Sequence, residues 1–117
     1  MNQWKLYHNP NCSKSREALT LLETTGVNFH IINYIKNPLT QEELTGLISE
    51  LNCSLSSLVR TKEHDFTEAP FDVNSAEEVA YRLSKEPHLM ERPILQGKGV
   101  AVIGRPLENF KVLLDNN

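Results

Sequence analysis

The sequence predicts an α/β fold built on a mixed four-stranded sheet flanked by helices, with a block of helices inserted at about residues 40–85. Three observations carry this. The first 34 residues read as strand, helix, strand, and a crossover of that length makes the two strands parallel. Near the other end, two short apolar runs flank Gly97-Lys98-Gly99, a link so brief that it implies an antiparallel hairpin. Between these parts the chain shows helix-start signals and three- and four-residue apolar spacings, not strand alternation.

Trp4-Lys5-Leu6-Tyr7 is the first strand, stopped by Pro10. A helix follows over Ser13–Thr25, with Ser15, Ala18, Leu19, Leu21 and Leu22 on its inner side and Gly26 as its C-terminal cap. Residues 27–34 are rich in β-branched and aromatic side chains and form the second strand. After the turn at Asn37-Pro38, Thr40-Gln41-Glu42-Glu43 is a capping box, and Leu44, Leu47, Ile48 and Leu51 share one face of its helix. Residues 55–60 read as a short helix ending at Arg60. Residues 61–74 are polar, contain Pro70, and read as an irregular connection. Ser75-Ala76-Glu77-Glu78 is a second capping box, opening a helix with Ala76, Val79, Ala80 and Leu83 inward and ending before Pro87. The hairpin strands are residues 93–96 and 100–103. Pro106 then suits the first position of a last helix whose inner side is Leu107, Phe110 and Leu114. The order βαβ, helical block, ββα is the thioredoxin-like arrangement. No repeat or linker divides the chain, so residues 1–117 are expected to form one domain.

Bulk properties narrow the function. A net charge of −3 argues against a nucleic-acid partner. No apolar run approaches the roughly 20 residues of a membrane span, and the start at Met1-Asn2-Gln3-Trp4-Lys5 lacks the apolar core of a secretory leader. Two cysteines make no disulfide framework, which points to a reducing cytoplasm, where a cysteine is more often catalytic than structural.

The chemistry gathers at Tyr7-His8-Asn9-Pro10-Asn11-Cys12-Ser13-Lys14-Ser15-Arg16. Cys12 falls where a strand gives way to a helix, so backbone N–H groups and the helix dipole favour its thiolate. Flanked by Asn11, Ser13 and Lys14, it does not fit a core pattern. Arg60, Arg92 and Arg105 each border a turn, where side chains from distant segments can converge. Guanidinium groups stay protonated and bind pairs of oxygens in a planar fork, as a multiply charged oxyanion requires.

The string His8-Asn9-Pro10-x-Cys12-x-x-Ser15-Arg16 resembles the active-site signature of the glutaredoxin-coupled arsenate reductase (ArsC) family. Leu58-Val59-Arg60, Glu91-Arg92-Pro93-Ile94 and Gly104-Arg105-Pro106 are similar to that family's three arginine motifs, in the same order. The length resembles the family's short, YfgD-like branch. The resemblance implies an arsenate reductase with Cys12 as nucleophile, His8 and Ser15 as residues that tune it, and Arg60, Arg92 and Arg105 as binders of arsenate or a similar oxyanion. It implies glutathione as co-substrate, glutaredoxin as protein partner, no bound cofactor, and a cis bond at Arg92-Pro93.

Other readings compete. A glutathione-dependent thiol/disulfide oxidoreductase would keep Cys12 and change the substrate. An Spx-like regulatory binding module would need a Cys-x-x-Cys pair, which Ser15 breaks. Cys53, at a helix junction beside leucines, is expected to be a buried structural cysteine. Arg82 lies on a polar helix face and reads as a surface cation. His30, His64 and His88 show no metal-ligand spacing with either cysteine, and the acidic residues between Glu63 and Asp72 read as a solvated loop, so no metal site is expected.

Overall fold

The computed structural model describes residues 4–115; the leader reading at Met1-Asn2-Gln3 lies outside them. Strands β1 (Trp4–His8), β2 (Phe29–Asn33), β3 (Ile94–Gly97) and β4 (Val100–Ile103) form one sheet in the order β2-β1-β3-β4. β1 and β2 are parallel, while β1–β3 and β3–β4 are antiparallel. Helix α1 (Ser13–Thr25) makes the crossover between β1 and β2 and ends at Gly26, whose φ of 76° is left-handed. Helices α2 (Gln41–Glu50), α3 (His64–Glu68) and α4 (Ala76–Lys85) make up the inserted block, and α5 (Glu108–Asp115) follows the hairpin.

Strand alternation explains the layering. Tyr7, Ile94, Ala101 and Ile103 face the inserted block, packing with Leu44 and Leu47 of α2, Val79 and Leu83 of α4, and Leu58. Trp4, Leu6, Leu95 and Val102 face the opposite way, onto Ala18 and Leu22 of α1 and Phe110 of α5. Neighbouring residues such as Leu6 and Tyr7 thus serve different cores, as the two-residue period of a strand requires.

Some local expectations are met and others corrected. The capping box at Thr40 is complete: its hydroxyl accepts from Glu43 N at 3.0 Å, and the Glu43 carboxylate accepts from Thr40 N at 2.9 Å. The box at Ser75 is only half made. Its hydroxyl accepts from Glu78 N, but the Glu78 carboxylate turns to Asp72 N instead. Ala76, expected inward, is exposed, because the buried stripe of α4 begins a turn later at Val79. The connection over residues 61–74 contains the single-turn helix α3. Residues 55–60 contribute only a 3₁₀ turn, Leu55–Leu58. Pro106 precedes α5 by two residues and does not open it. The peptide bonds Arg92-Pro93 and Arg105-Pro106 are both cis. In the hairpin, Lys98 (φ 55°) and Gly99 (φ 80°) both have positive φ, as the tight turn type that matches strand twist demands.

Gly104 joins β4 to Arg105, and a Cβ there would lie 2.8 Å from the Phe110 ring and 3.2 Å from Pro93. Gly104→Ala is therefore expected to lower stability by about 1–3 kcal/mol through overpacking. Urea denaturation reads the loss; an unchanged midpoint would show that Phe110 yields freely.

Candidate active site

The sheet delivers four segments to one edge. β1 and β2 pair in register, His8 opposite Asn33, so the turn after β1 and Tyr34 after β2 leave side by side. β3 runs the other way, with Ile94 opposite Tyr7, so Arg92 and Pro93 lie just before it at that same edge. Ile103 of β4 is opposite Ile94, so Gly104 and Arg105 emerge there too. Arg60 comes from the inserted block. A bridge between Val59 and Met90 ties its segment to the approach of β3, with Arg60 N donating to Leu89 O at 2.8 Å and Glu91 N to Leu58 O at 2.7 Å.

Cys12 is the N-cap residue of α1, with extended backbone (φ −109°, ψ 123°) and no side-chain capping bond. The preceding loop is held by Cys12 N donating to Asn9 O at 3.0 Å and by Arg16 Nη1 donating to Pro10 O at 2.8 Å. At 8% exposure Cys12 is largely enclosed, yet it belongs to neither apolar cluster. Burial pushes its thiol pKa up, but the backbone N–H of Ser15, the Arg92 guanidinium and the backbone N–H of Lys14 outweigh that and hold it below the ordinary thiol value. The first turn of α1 carries no acidic residue that would oppose this.

Arg105 is aimed at the sulfur. Its Nη2 lies 3.8 Å from Cys12 Sγ, while its Nε donates to the Arg92 carbonyl at 2.7 Å and pairs with Glu91 Oε1 at 3.2 Å. Arg92 brings two buried donors, Nε and Nη1, with no acceptor on the described protein. Cys12, Ser15, Arg92 and Arg105 are thus brought together. Arg60 has partners of its own: its Nη1 donates to His88 O at 3.2 Å and its Nη2 pairs with Glu63 at 3.2 Å. It shares with Arg105 the wall of a cleft of about 300 Å³ that also takes in Lys62, Glu63 and Glu91.

Ser15 is wholly buried, and its hydroxyl accepts from Asn9 N at 3.3 Å, bracing the loop that carries Cys12. His8 is buried at the end of β1 with no partner for Nδ1; burial foremost, and the nearby Arg16 charge, lower its pKa against an opposing backbone interaction with Ser15. The groups that move the Cys12 thiol do not include His8. Cys53, expected to be buried, is a free and exposed thiol, because residues 52–54 lie in the loop beyond α2 and not on its apolar face. Arg82, expected on a polar face, is half-buried, pairing with Glu86 at 2.7 Å and stacking over Phe71 at 4.7 Å. His88 pairs with Asp65 at 2.6 Å in an exposed group that also includes Glu86.

Sequence reasoning missed Glu91 and Tyr34. Glu91 stood within a motif, and its carboxylate fixes Arg105. Tyr34 looked like one more aromatic at the end of a strand, and nothing in the pattern separated it from a core residue.

Comparison with known proteins matches residues 7–113 to the ArsC family. An arsenate reductase of Neisseria meningitidis serogroup A is 36% identical over 97% of this chain and 100% of its own. The Escherichia coli protein YfgD is 41% identical over 91% of this chain and 92% of its own. Among solved structures, the arsenate reductase from Vibrio cholerae superposes with a TM-score of 0.83 at 33% identity, over 95% of this chain and 98% of that one. Among the described residues, no helix is long and apolar enough to cross a membrane.

With Cys53→Ser removing the exposed thiol, alkylation of Cys12 by iodoacetamide should show its pH inflection below that of a free thiol. Arg92→Ala should move the inflection upward, each unit corresponding to about 1.4 kcal/mol. An inflection indifferent to Arg92 would mean that backbone N–H groups alone set the thiolate.

Proposed function

The chain belongs to the ArsC family, and on that basis we propose that it reduces arsenate to arsenite with glutathione and glutaredoxin as reductants. The observation that carries the reading is the Arg105 guanidinium 3.8 Å from a thiol held below its ordinary pKa. A thiolate attacking arsenate brings like charges together, so the reaction needs fixed positive charge at the point of attack. Arg92 and Arg105 supply it beside the sulfur, and Arg60 extends it along the cleft.

In this reading the Cys12 sulfur forms a bond to arsenic and an arsenate oxygen leaves as water after protonation. The glutathione thiolate then attacks the Cys12 sulfur. The electron pair of the sulfur–arsenic bond stays on arsenic, so As(V) becomes As(III) and arsenite departs. The resulting Cys12–glutathione disulfide is attacked by a glutaredoxin thiol, which regenerates Cys12 and carries the glutathione away. Ser15, at the position a second cysteine would need, favours such an external reductant over an internal disulfide and removes the support for an Spx-like role. Ser15 acts in support by bracing the loop, and His8 lies buried at the end of β1 beside it. A chemistry that consumes thiols suits a reducing cytoplasm.

The test is an assay coupling arsenate to NADPH through glutathione, glutaredoxin and glutathione reductase. Arsenate-dependent NADPH loss is expected, abolished in Cys12→Ser. Arg92→Ala should lower kcat/KM by about 10²–10³-fold, the usual cost of one preorganised charge donor. No arsenate-dependent loss with active partners, together with rapid reduction of a glutathionylated substrate, would replace the reading with a thiol/disulfide oxidoreductase.

A further inference from the structure

The chain has three tyrosines, and they are treated differently. Tyr81 is half exposed. Tyr7 is buried, and its hydroxyl donates to Gln96 Oε1. Tyr34 is 1% exposed, and its hydroxyl meets no acceptor on the described protein. A buried hydroxyl left unpaired is costly, and a phenylalanine would fill the same space without that cost. Tyr34 also stands one residue beyond the Asn33–His8 pairing, at the sheet edge where Cys12, Arg92 and Arg105 gather.

We propose that the Tyr34 hydroxyl donates a hydrogen bond to the oxyanion bound beside Cys12, acting with Arg92 as a substrate-binding group. Four buried polar atoms at this edge lack a partner on the described protein: Tyr34 Oη, the Nε and Nη1 of Arg92, and His8 Nδ1, which donates or accepts according to its tautomer. Such donors are answered by a ligand rimmed with oxygens, and a tetrahedral oxyanion can accept from the Tyr34 hydroxyl and from one edge of the Arg92 guanidinium together. The hydroxyl feels the charges of Arg92, Arg60, Cys12 and Glu91, which places it within the same electrostatic site. Burial foremost holds its pKa well above the ordinary tyrosine value, so it is a donor throughout the working range and never an anion that would repel the substrate. This assignment rests on the oxyanion reading of the site, but not on arsenate being the reducible substrate.

The test uses the full chain in a Cys53→Ser background and inorganic phosphate as a tetrahedral probe that thiols do not reduce. The readout is the phosphate concentration that halves the alkylation rate of Cys12. Tyr34→Phe should raise it about tenfold, ~1.4 kcal/mol, and should raise KM for arsenate more than it lowers kcat, with the melting temperature held or increased. A purely structural tyrosine would shift the melting temperature and leave phosphate protection alone, and that result overturns the proposal. As a check that needs no substitution at Tyr34, protein labelled at tyrosine Cζ should show the Tyr34 resonance moving on phosphate addition, identified by elimination with Tyr7→Phe and Tyr81→Phe. A stationary resonance overturns the proposal as well. Phosphate protection lost in Tyr34→Phe, beside a wild type that does not turn over arsenate, would sink the reductase reading and keep Tyr34 in the site. Absence of any phosphate protection in the wild type would remove both.

Discussion

Everything in this site depends on four strands reaching one edge of a sheet in fixed register. His8 pairs with Asn33, Tyr7 with Ile94, and Ile94 with Ile103, so the segments holding Cys12, Tyr34, Arg92 and Arg105 leave the sheet together. No two of the four are closer than 13 residues in sequence, Arg92 to Arg105, and Cys12 and Arg105 are the farthest apart. A slip of one residue would exchange the two faces of a strand, sending Tyr7 and Ile94 toward α1 and Leu6 and Leu95 toward the inserted block. The two cores forbid that slip. Packing far from the sulfur therefore fixes the geometry around it.

The second constraint is electrostatic. Enclosing Cys12 disfavours its thiolate, and the backbone N–H groups of Ser15 and Lys14 together with Arg92 reverse the balance. Arg105 would be a poor instrument if it swung freely. Its Nε is held by the Arg92 carbonyl and the Glu91 carboxylate, which leaves Nη2 toward the sulfur. Glu91 Oε1 also accepts from Arg92 N at 3.1 Å, so one carboxylate orders the arginine motif before β3 and the arginine after β4. Such preorganisation is what makes fixed charge effective in a reaction, since little has to move as charge develops.

The inserted block stands apart from this economy. Its helices α2 and α4 pack on the face of the sheet that carries Tyr7 and Ile94, and its link to the site is the Val59–Met90 bridge. Arg60 arrives by that bridge, is engaged with Glu63 and the His88 carbonyl, and lines the cleft with Arg105. The three arginines that looked alike in the sequence therefore reach the site by different routes, two from segments flanking sheet strands and one from a connection.

The sequence by itself determined what is local. Helix α1 from Ser13 to its glycine cap, the complete capping box at Thr40, the parallel crossover and the tight hairpin all follow from residues within a few positions of one another. It also marked Cys12, since a cysteine opening a helix needs no distant partner to be noticed. What it left open were choices among competing contacts, some near in sequence and some remote. Glu78 turned to Asp72 where a second capping box was expected, Cys53 lay outside the core it was expected to join, and Pro106 stayed outside α5. That the Tyr34 hydroxyl would be buried without a partner, and that Glu91 would hold Arg105, were decided by tertiary structure alone. Hydrogen bonds and burial between such segments come from sheet register and packing, and those are properties of the assembled layers, which no single stretch of chain contains.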